Sequence, residues 1–367
     1  MNRNNSLVSE FIILGLSTRP ELEAFLFILF LIIYMVALTG NVIILLLSIT
    51  DPGLKTPMYF FLGLLSFLDI WCTSATLPKM LSGYVTQSKV ISYYGCVAQL
   101  FFFTWPMGIE LLLLTVMAYD RYVAIRNPLR YASIMNQRVC INIAIIISII
   151  GSFNSVTHTY CTFRLPYCDD NKINHFFCEI MPLLKLACAD TYINEIVVFM
   201  ADFILGICCF LLTCISYAFI FNTIFKIRTA EGKRKAFSTC ASHIIIVSMY
   251  YGAVIFTYIR PRSSLSLEKD KIISALYAVI TPTFNPIIYS LRNKEVKEAF
   301  QRVVYMMLIS KRTKNKRKFW RRNCQVMPCR STSVTSKRVL SAEGGIVANK
   351  QKMTGDLFQP PVPDDKQ

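Results

Sequence analysis

Seven stretches of apolar residues, each about twenty long and so able to cross a bilayer as a helix, decide what this 367-residue chain can fold into. They fall near residues 25–49, 58–83, 96–120, 139–160, 195–225, 237–259 and 272–291. A soluble protein carries about 25% charged residues; this chain carries 17%, against 54% hydrophobic. The expected fold class is therefore an all-α membrane protein, a seven-transmembrane helix bundle. The fourth stretch is the least clear, because Asn142, Ser152, Asn154 and Ser155 interrupt it. Pro78, Pro282 and Pro286 fall inside the second and seventh, where neighbouring helices can satisfy the freed backbone groups.

Charge then orients the chain. The net charge is +17, and from Arg292 onward 18 Lys and Arg face 6 Asp and Glu. Arg126, Arg130 and Arg138 fill the loop after the third stretch; Lys226, Arg228, Lys233, Arg234 and Lys235 flank the loop after the fifth. The loop between the fourth and fifth is nearly balanced. Positive residues gather on the cytoplasmic side, so the N-terminus is expected outside and the tail inside. The basic surplus is a topology signal and a solvated tail, not a nucleic-acid surface. The expected organisation is an extracellular N-terminus over 1–24, a seven-helix domain over 25–291, a short cytoplasmic amphipathic helix over 292–309 and a basic, disordered cytoplasmic tail over 310–367. FIILGL near the start is too short and poorly flanked for a cleavable signal peptide. Asn4 opens an Asn-Asn-Ser glycosylation sequon on the expected outer side.

Of thirteen cysteines, Cys96, Cys168, Cys178 and Cys188 fall on the expected outer face. That compartment is oxidising and favours disulfides. Four cysteines allow three pairings, and spacing does not choose among them; Cys161 adds a further candidate. Zinc is the competing idea, with His175 nearby, but the loop has no CxxC spacing.

The motif MAYDRYVAI, Met117 to Ile125, puts Asp120 and Arg121 at the inner end of the third apolar helix. Opposite charges at that border are costly unless they pair or reach water, so they make a plausible switch. Four further strings sit in order around it: Gly40-Asn41, PMYFFLGLLSFLDI (Pro57 to Ile70), KAFSTCASH (Lys235 to His243) and PTFNPIIYSLRN (Pro282 to Asn293). Together, over about residues 11–305, they resemble the odorant (olfactory) receptors of the rhodopsin-like G-protein-coupled class. Tyr250-Tyr251-Gly252 stands where most of that class has a tryptophan, which is similar to the odorant branch.

The resemblance implies Cys96–Cys178 and Cys168–Cys188 as the disulfides. It implies a G-protein switch of Asp120, Arg121 and Tyr122, with Tyr217 and Tyr289 engaging the freed arginine. Asn41, Asp69, Glu110 and Asn285 are polar residues at mid-membrane depth on four different helices. Together they suit an ion or water cluster, with sodium or a shared proton near Asp69 and Glu110; interhelical hydrogen bonding without an ion is the alternative. No other cofactor and no metal centre is expected.

Helical spacing lines up Phe103, Met107, Glu110 and Leu114 on the third helix, with Thr104 and Gly108 beside them. Facing candidates for a ligand cavity are Asp202, Leu205, Gly206, Val254, Tyr258 and Ala278. Such a lining suits a small lipophilic molecule with one hydrogen-bonding group. Asp202 either favours an amine or hydroxyl ligand or bonds a neighbouring helix.

The expected function is binding of small volatile lipophiles inside the bundle and activation of a stimulatory, olfactory-type G protein that raises cyclic AMP. Membrane lipids are the other partner, and the location implied is the plasma membrane of olfactory neuron cilia. A non-olfactory chemosensor of the same fold is the alternative, and an ion-coupled transporter the remoter one, since no internal repeat is visible. His158, His175 and His243 are scattered, so no enzymatic triad is expected. The tail beyond residue 309 departs from the family, which usually stops soon after the short helix. Its basic aromatic stretch, Lys311 to Arg322, suits anionic lipid, but a disordered extension with no selected role is the preferred expectation.

Overall fold

The computed structural model describes residues 8–17, 19–168, 171–259, 267–293 and 295–305, without the side chains of Pro20, Lys235, Thr239, 253–259, 267–270 and 290–292. Asn4 and the tail beyond residue 305 lie outside the described residues.

The apolar stretches are helices: α1 (Pro20–Thr50), α2 (Pro57–Thr86), α3 (Tyr93–Arg126), a one-turn α4 (Tyr131–Ile134), α5 (Gln137–Phe163), a short α6 (Ile180–Leu186), α7 (Tyr192–Lys226) and α8 (Ala230–Ile259). The last stretch is α9 (Leu267–Ala275), a π-helical turn over Leu276–Ile280 and α10 (Thr281–Arg292), in unbroken succession. Among the described residues, six of these segments are long and apolar enough to cross a membrane. The thirty-residue α8 corresponds to the seventh, its first turns diluted by Glu231, Lys233, Arg234 and Lys235. The chain is a multi-pass membrane protein built as a seven-helix bundle.

Apolar side chains point both ways on α1, α5 and α7. Phe25, Ile32, Ile146, Phe153, Ile204 and Leu212 are exposed, as expected where lipid is the solvent. Inside, small residues let backbones approach, as in other membrane helix pairs. A Cβ on Gly151 of α5 would stand 2.5 Å from Ile109 Cγ1 of α3, and one on Gly40 of α1 would stand 2.9 Å from Pro286 of α10. Larger residues at either position would force these helices apart.

Two of the polar residues that blurred the fourth span, Ser152 and Ser155, are used within the bundle. Trp105 Nε1 donates to Ser152 Oγ at 2.8 Å, and Ser155 Oγ donates to the Phe101 carbonyl at 2.8 Å. Both tie α5 to α3, so the helix runs unbroken through them. Beside Pro78, Gln99 of α3 donates to the Ala75 carbonyl at 2.9 Å.

A small sheet, absent from the sequence expectation, covers the Cys96 end. β1 (Glu10–Ile13) lies between β2 (Val90–Ser92), antiparallel with Phe11 opposite Ile91, and β3 (Lys172–Ile173), parallel with Ile13 opposite Ile173. Phe11 is fully buried and packs edge-on against Tyr167. FIILGL is thus an anchored strand and its continuation.

The chain divides into two units, Met1–Val303 and Val304–Gln367. In the first, residues 295–303 are helical after the break at Asn293; in the second, the two described residues, Val304 and Tyr305, are also helical.

Candidate functional site

A cavity of about 560 Å³ opens in the half of the bundle nearer Cys96. Its floor and one wall come from Phe103, Thr104, Met107, Gly108 and Leu111 of α3; Asp202, Leu205 and Gly206 of α7 face them. Seven of the ten residues proposed from sequence therefore share one cavity. Ala278 does not line it: its buried side chain sits in a cluster with Cys72, Phe103 and Phe177, and neighbouring Ile273, Ser274 and Tyr277 reach the cavity instead. The π-helical turn, with one extra residue in the ring, shifts the register of that face. The Val254 and Tyr258 side chains lie outside the described residues.

Sequence reasoning missed the polar part of the lining, because it comes from partners distant in the chain. His158 Nε2 meets Asp202 Oδ1 at 2.8 Å, so Asp202 does bond a neighbouring helix. Two of the three histidines set aside as scattered, His158 and His175, line this cavity together. In the loop after α5, His175 Nε2 lies 2.8 Å from Glu179 Oε2, while Ser274 and Tyr277 donate to Glu179 Oε1 at 3.0 and 2.5 Å. Burial alone would push the Glu179 carboxyl up; the His175 imidazole, with the two hydroxyls, overcomes it and holds the group below its usual range. This network joins the loop to the last helix over the cavity mouth.

Two bridges pin the same loop. The structure joins Cys96 to Cys178 and Cys168 to Cys188, while Cys161 is free and buried in α5. Cys178 N also donates to Gln99 Oε1 at 2.9 Å.

Deeper, Asp69, Glu110, Asn41 and Asn285 are buried. Asn285 Nδ2 donates to both Asp69 oxygens, at 3.1 and 2.9 Å, and Glu110 lies beside the same amide. Asn41 Nδ2 donates to the Pro282 carbonyl at 2.9 Å, a group that Pro286, lacking an N–H, cannot bond in α10. Among the described residues, Glu110 Oε1, Asn41 Oδ1 and Asn285 Oδ1 are left without a hydrogen-bond partner. Buried oxygens without donors are costly, and an all-oxygen set with two carboxylates fits a hard cation or a shared proton.

At the Arg121 end, Asp120 Oδ1 accepts from Tyr131 at 2.8 Å, and among the described residues no contact ion pair joins it to Arg121. Asp120 is thus met by a neighbouring hydroxyl, since successive helix residues do not face each other. Arg121 is buried, and its Nε has no hydrogen-bond partner among the described residues. Tyr217 hydrogen-bonds His243 Nδ1 at 2.5 Å, and the buried Tyr289 hydroxyl has no partner. Tyr122 packs against Tyr119 and Phe219, with ring centroids 6.2 and 5.8 Å apart.

The sequence matches a family model described as olfactory receptor over residues 30–309. It is similar to olfactory receptor 13G1 of Homo sapiens, 51% identical over 300 residues that cover 82% of this chain and 98% of that protein. Olfactory receptor 13A1 of Homo sapiens is 50% identical over 303 residues, 83% of this chain and 92% of the relative. The olfactory receptor-like protein OLF1 of Canis lupus familiaris is 47% identical over 310 residues, 84% of this chain and 100% of the relative.

Proposed function

The chain belongs to the olfactory receptor family, a branch of the rhodopsin-like G-protein-coupled receptors, and from that premise we propose that its cavity takes small volatile lipophiles and that its G protein is the stimulatory, olfactory type, which raises cyclic AMP. It is an odorant receptor, not an enzyme. The observation that carries the ligand reading is the mostly apolar cavity of about 560 Å³ between α3 and α7, within the volume range of small-molecule sites.

A ligand that binds the open form more tightly shifts a pre-existing equilibrium toward it. Opening at the other end frees Arg121 from its present surroundings, and Tyr217 and Tyr289 move in to engage it. Asp69 and Glu110, with Asn41 and Asn285, hold a sodium ion or a shared proton in the resting form and release it on activation. The N-terminus lies outside, with Asn4 glycosylated, and the basic residues face the cytoplasm and its anionic lipids. Olfactory cilia are the site of action.

The test is cyclic AMP in cells expressing the chain, challenged with a panel of volatile lipophiles and stained for surface receptor. A dose-dependent rise absent from mock cells, and abolished by Arg121→Ala at measurable surface expression, is expected. Normal signalling from Arg121→Ala would sink the switch; full surface staining without any response would count against the ligand and coupling reading.

A further inference from the structure

Asp202 and His158 form a dyad on the cavity wall that is half closed and half open. The imidazole is 2% exposed, while the Asp202 side chain keeps 30% of its surface accessible. His158 Nε2 holds Asp202 Oδ1 at 2.8 Å; among the described residues no hydrogen bond reaches Oδ2. Around it the wall is apolar, with Met107, Leu111 and Leu205.

Several other polar groups of the cavity are committed to partners, while Asn154, Asn174 and Glu195 also line it. Thr104 Oγ1 is bonded to Ser155 at 2.8 Å and to the Leu100 carbonyl at 2.9 Å, and Tyr250 donates to the Met107 carbonyl at 2.9 Å. Glu179 is saturated by Ser274, Tyr277 and His175. Lys185 is exposed to solvent at the rim, where a cation is well hydrated. Asp202 is thus a carboxylate on the cavity wall with an oxygen to offer. A carboxylate oxygen facing an apolar space gains from any ligand that brings a donor, and is repelled by a ligand that brings only lone pairs.

We propose that Asp202, oriented by His158, selects odorants that carry an O–H or N–H donor over molecules of the same size and shape that carry only acceptors. The inference rests on the cavity being the odorant site. Asp202 touches the ligand; His158 is a positioning residue that fixes one carboxylate oxygen so that the other is presented.

The experiment uses isomeric pairs, n-alkanols against alkyl methyl ethers of the same formula and phenols against anisoles, with n-alkylamines as charged donors. Full-length receptor is read by cyclic AMP, with surface staining. Alkanols and phenols should act at concentrations at least about tenfold lower than their ethers, the ratio a hydrogen bond to a charged acceptor supplies. Asp202→Leu should bring that ratio to about one, whatever the absolute response to either compound. Asp202→Asn, which keeps shape and one acceptor, should give an intermediate ratio and serves if the leucine variant does not reach the surface. His158→Phe should lower the ratio and His158→Gln, which retains an N–H, should restore most of it. Amines ranking above alkanols would mark the dyad as anionic toward ligand, alkanols above amines as neutralised, and both support donor selection. A ratio near one in the wild type, or one preserved in Asp202→Leu, overturns the proposal. Responses confined to acceptor-only compounds overturn donor selection alone; silence toward every compound at full surface expression overturns the cavity reading beneath it.

Discussion

Arg302 holds Asp51 through two parallel hydrogen bonds, Nε to Oδ2 and Nη2 to Oδ1, each 3.0 Å. Asp51 closes α1, is almost fully buried and also accepts the Gly53 N–H at 2.8 Å. The pair fastens the helical run that begins at Glu295 to the turn between α1 and α2. A second clasp lies beside it, where Tyr59 donates to Glu295 Oε2 at 2.7 Å and bonds Asn293. The Arg302 guanidinium draws the Asp51 carboxyl below its ordinary value; burial opposes this and the Gly53 amide adds to it.

Arg302→Ala should therefore lower stability by about 1 kcal/mol, because the guanidinium is half exposed and solvent screens it. Arg302→Lys should recover only part, since an ammonium lacks the planar fork. A carboxyl whose folded pKa is depressed contributes fully above its unfolded value, here 3.8, and loses that contribution as pH falls through the folded value. In detergent melts, the gap between wild type and Arg302→Ala should stay constant from neutrality down to about pH 5 and close only below the ordinary carboxyl range. A gap that closes near neutral pH would show that another group titrates.

The two disulfides should differ in weight. Cys96–Cys178 closes 82 residues of chain and Cys168–Cys188 closes 20, so loop closure predicts about 4.5 and about 3 kcal/mol. The first also ties α3 to the loop that roofs the cavity. Cys96→Ser should abolish surface delivery, while Cys168→Ser should leave a reduced but measurable fraction by flow cytometry. Equal losses would show that the roof, and not the closed loop, sets the cost.

The seven spans were legible because a window of about twenty apolar residues has one cheap solution in a bilayer. The Asp120–Arg121 motif marked the inner end of α3, but not that Asp120 would turn to Tyr131, which opens the one-turn α4, too short for helical spacing to reveal. β1 was invisible for a different reason. Four residues carry too little alternation to detect, and the partners of Phe11 and Ile13 are at Ile91 and Ile173. The His158–Asp202 dyad joins two helices 44 residues apart, and pairing between helices leaves no trace in the spacing of either. Ala278 was misplaced because regular helical counting fails across the π turn.

Tyr217 and His243 predict a separation of activation from binding. In this conformation the tyrosine hydroxyl is spent on His243 rather than on Arg121. Tyr217→Phe should lower the maximal cyclic AMP response several-fold while the half-maximal agonist concentration moves little, since the cavity is at the other end of the bundle. His243→Phe leaves a buried hydroxyl unsatisfied, a cost of about 1–3 kcal/mol, and should cut surface expression. A Tyr217→Phe receptor with an unchanged maximum would remove Tyr217 from the switch.

Asp69 and Glu110 supply the sharpest test of the buried cluster. Two carboxylates in one buried site cannot both stay ionised without a cation or a proton between them, and Glu110 Oε1 has no partner from the protein. If sodium fills that place, purified receptor should melt at higher temperature in sodium chloride than in an equal concentration of choline chloride. Glu110→Gln and Asp69→Asn should each abolish the difference, because either change removes half the charge that holds the ion. If a shared proton fills it, the two salts should give equal melts, and the melting temperature should instead fall as pH rises and the proton is lost. In that case Glu110→Gln, which mimics the protonated acid, should flatten the pH dependence. Equal melts with no pH dependence in the wild type would leave the four residues as hydrogen-bond partners between helices, held chiefly by the Asn285 to Asp69 contact.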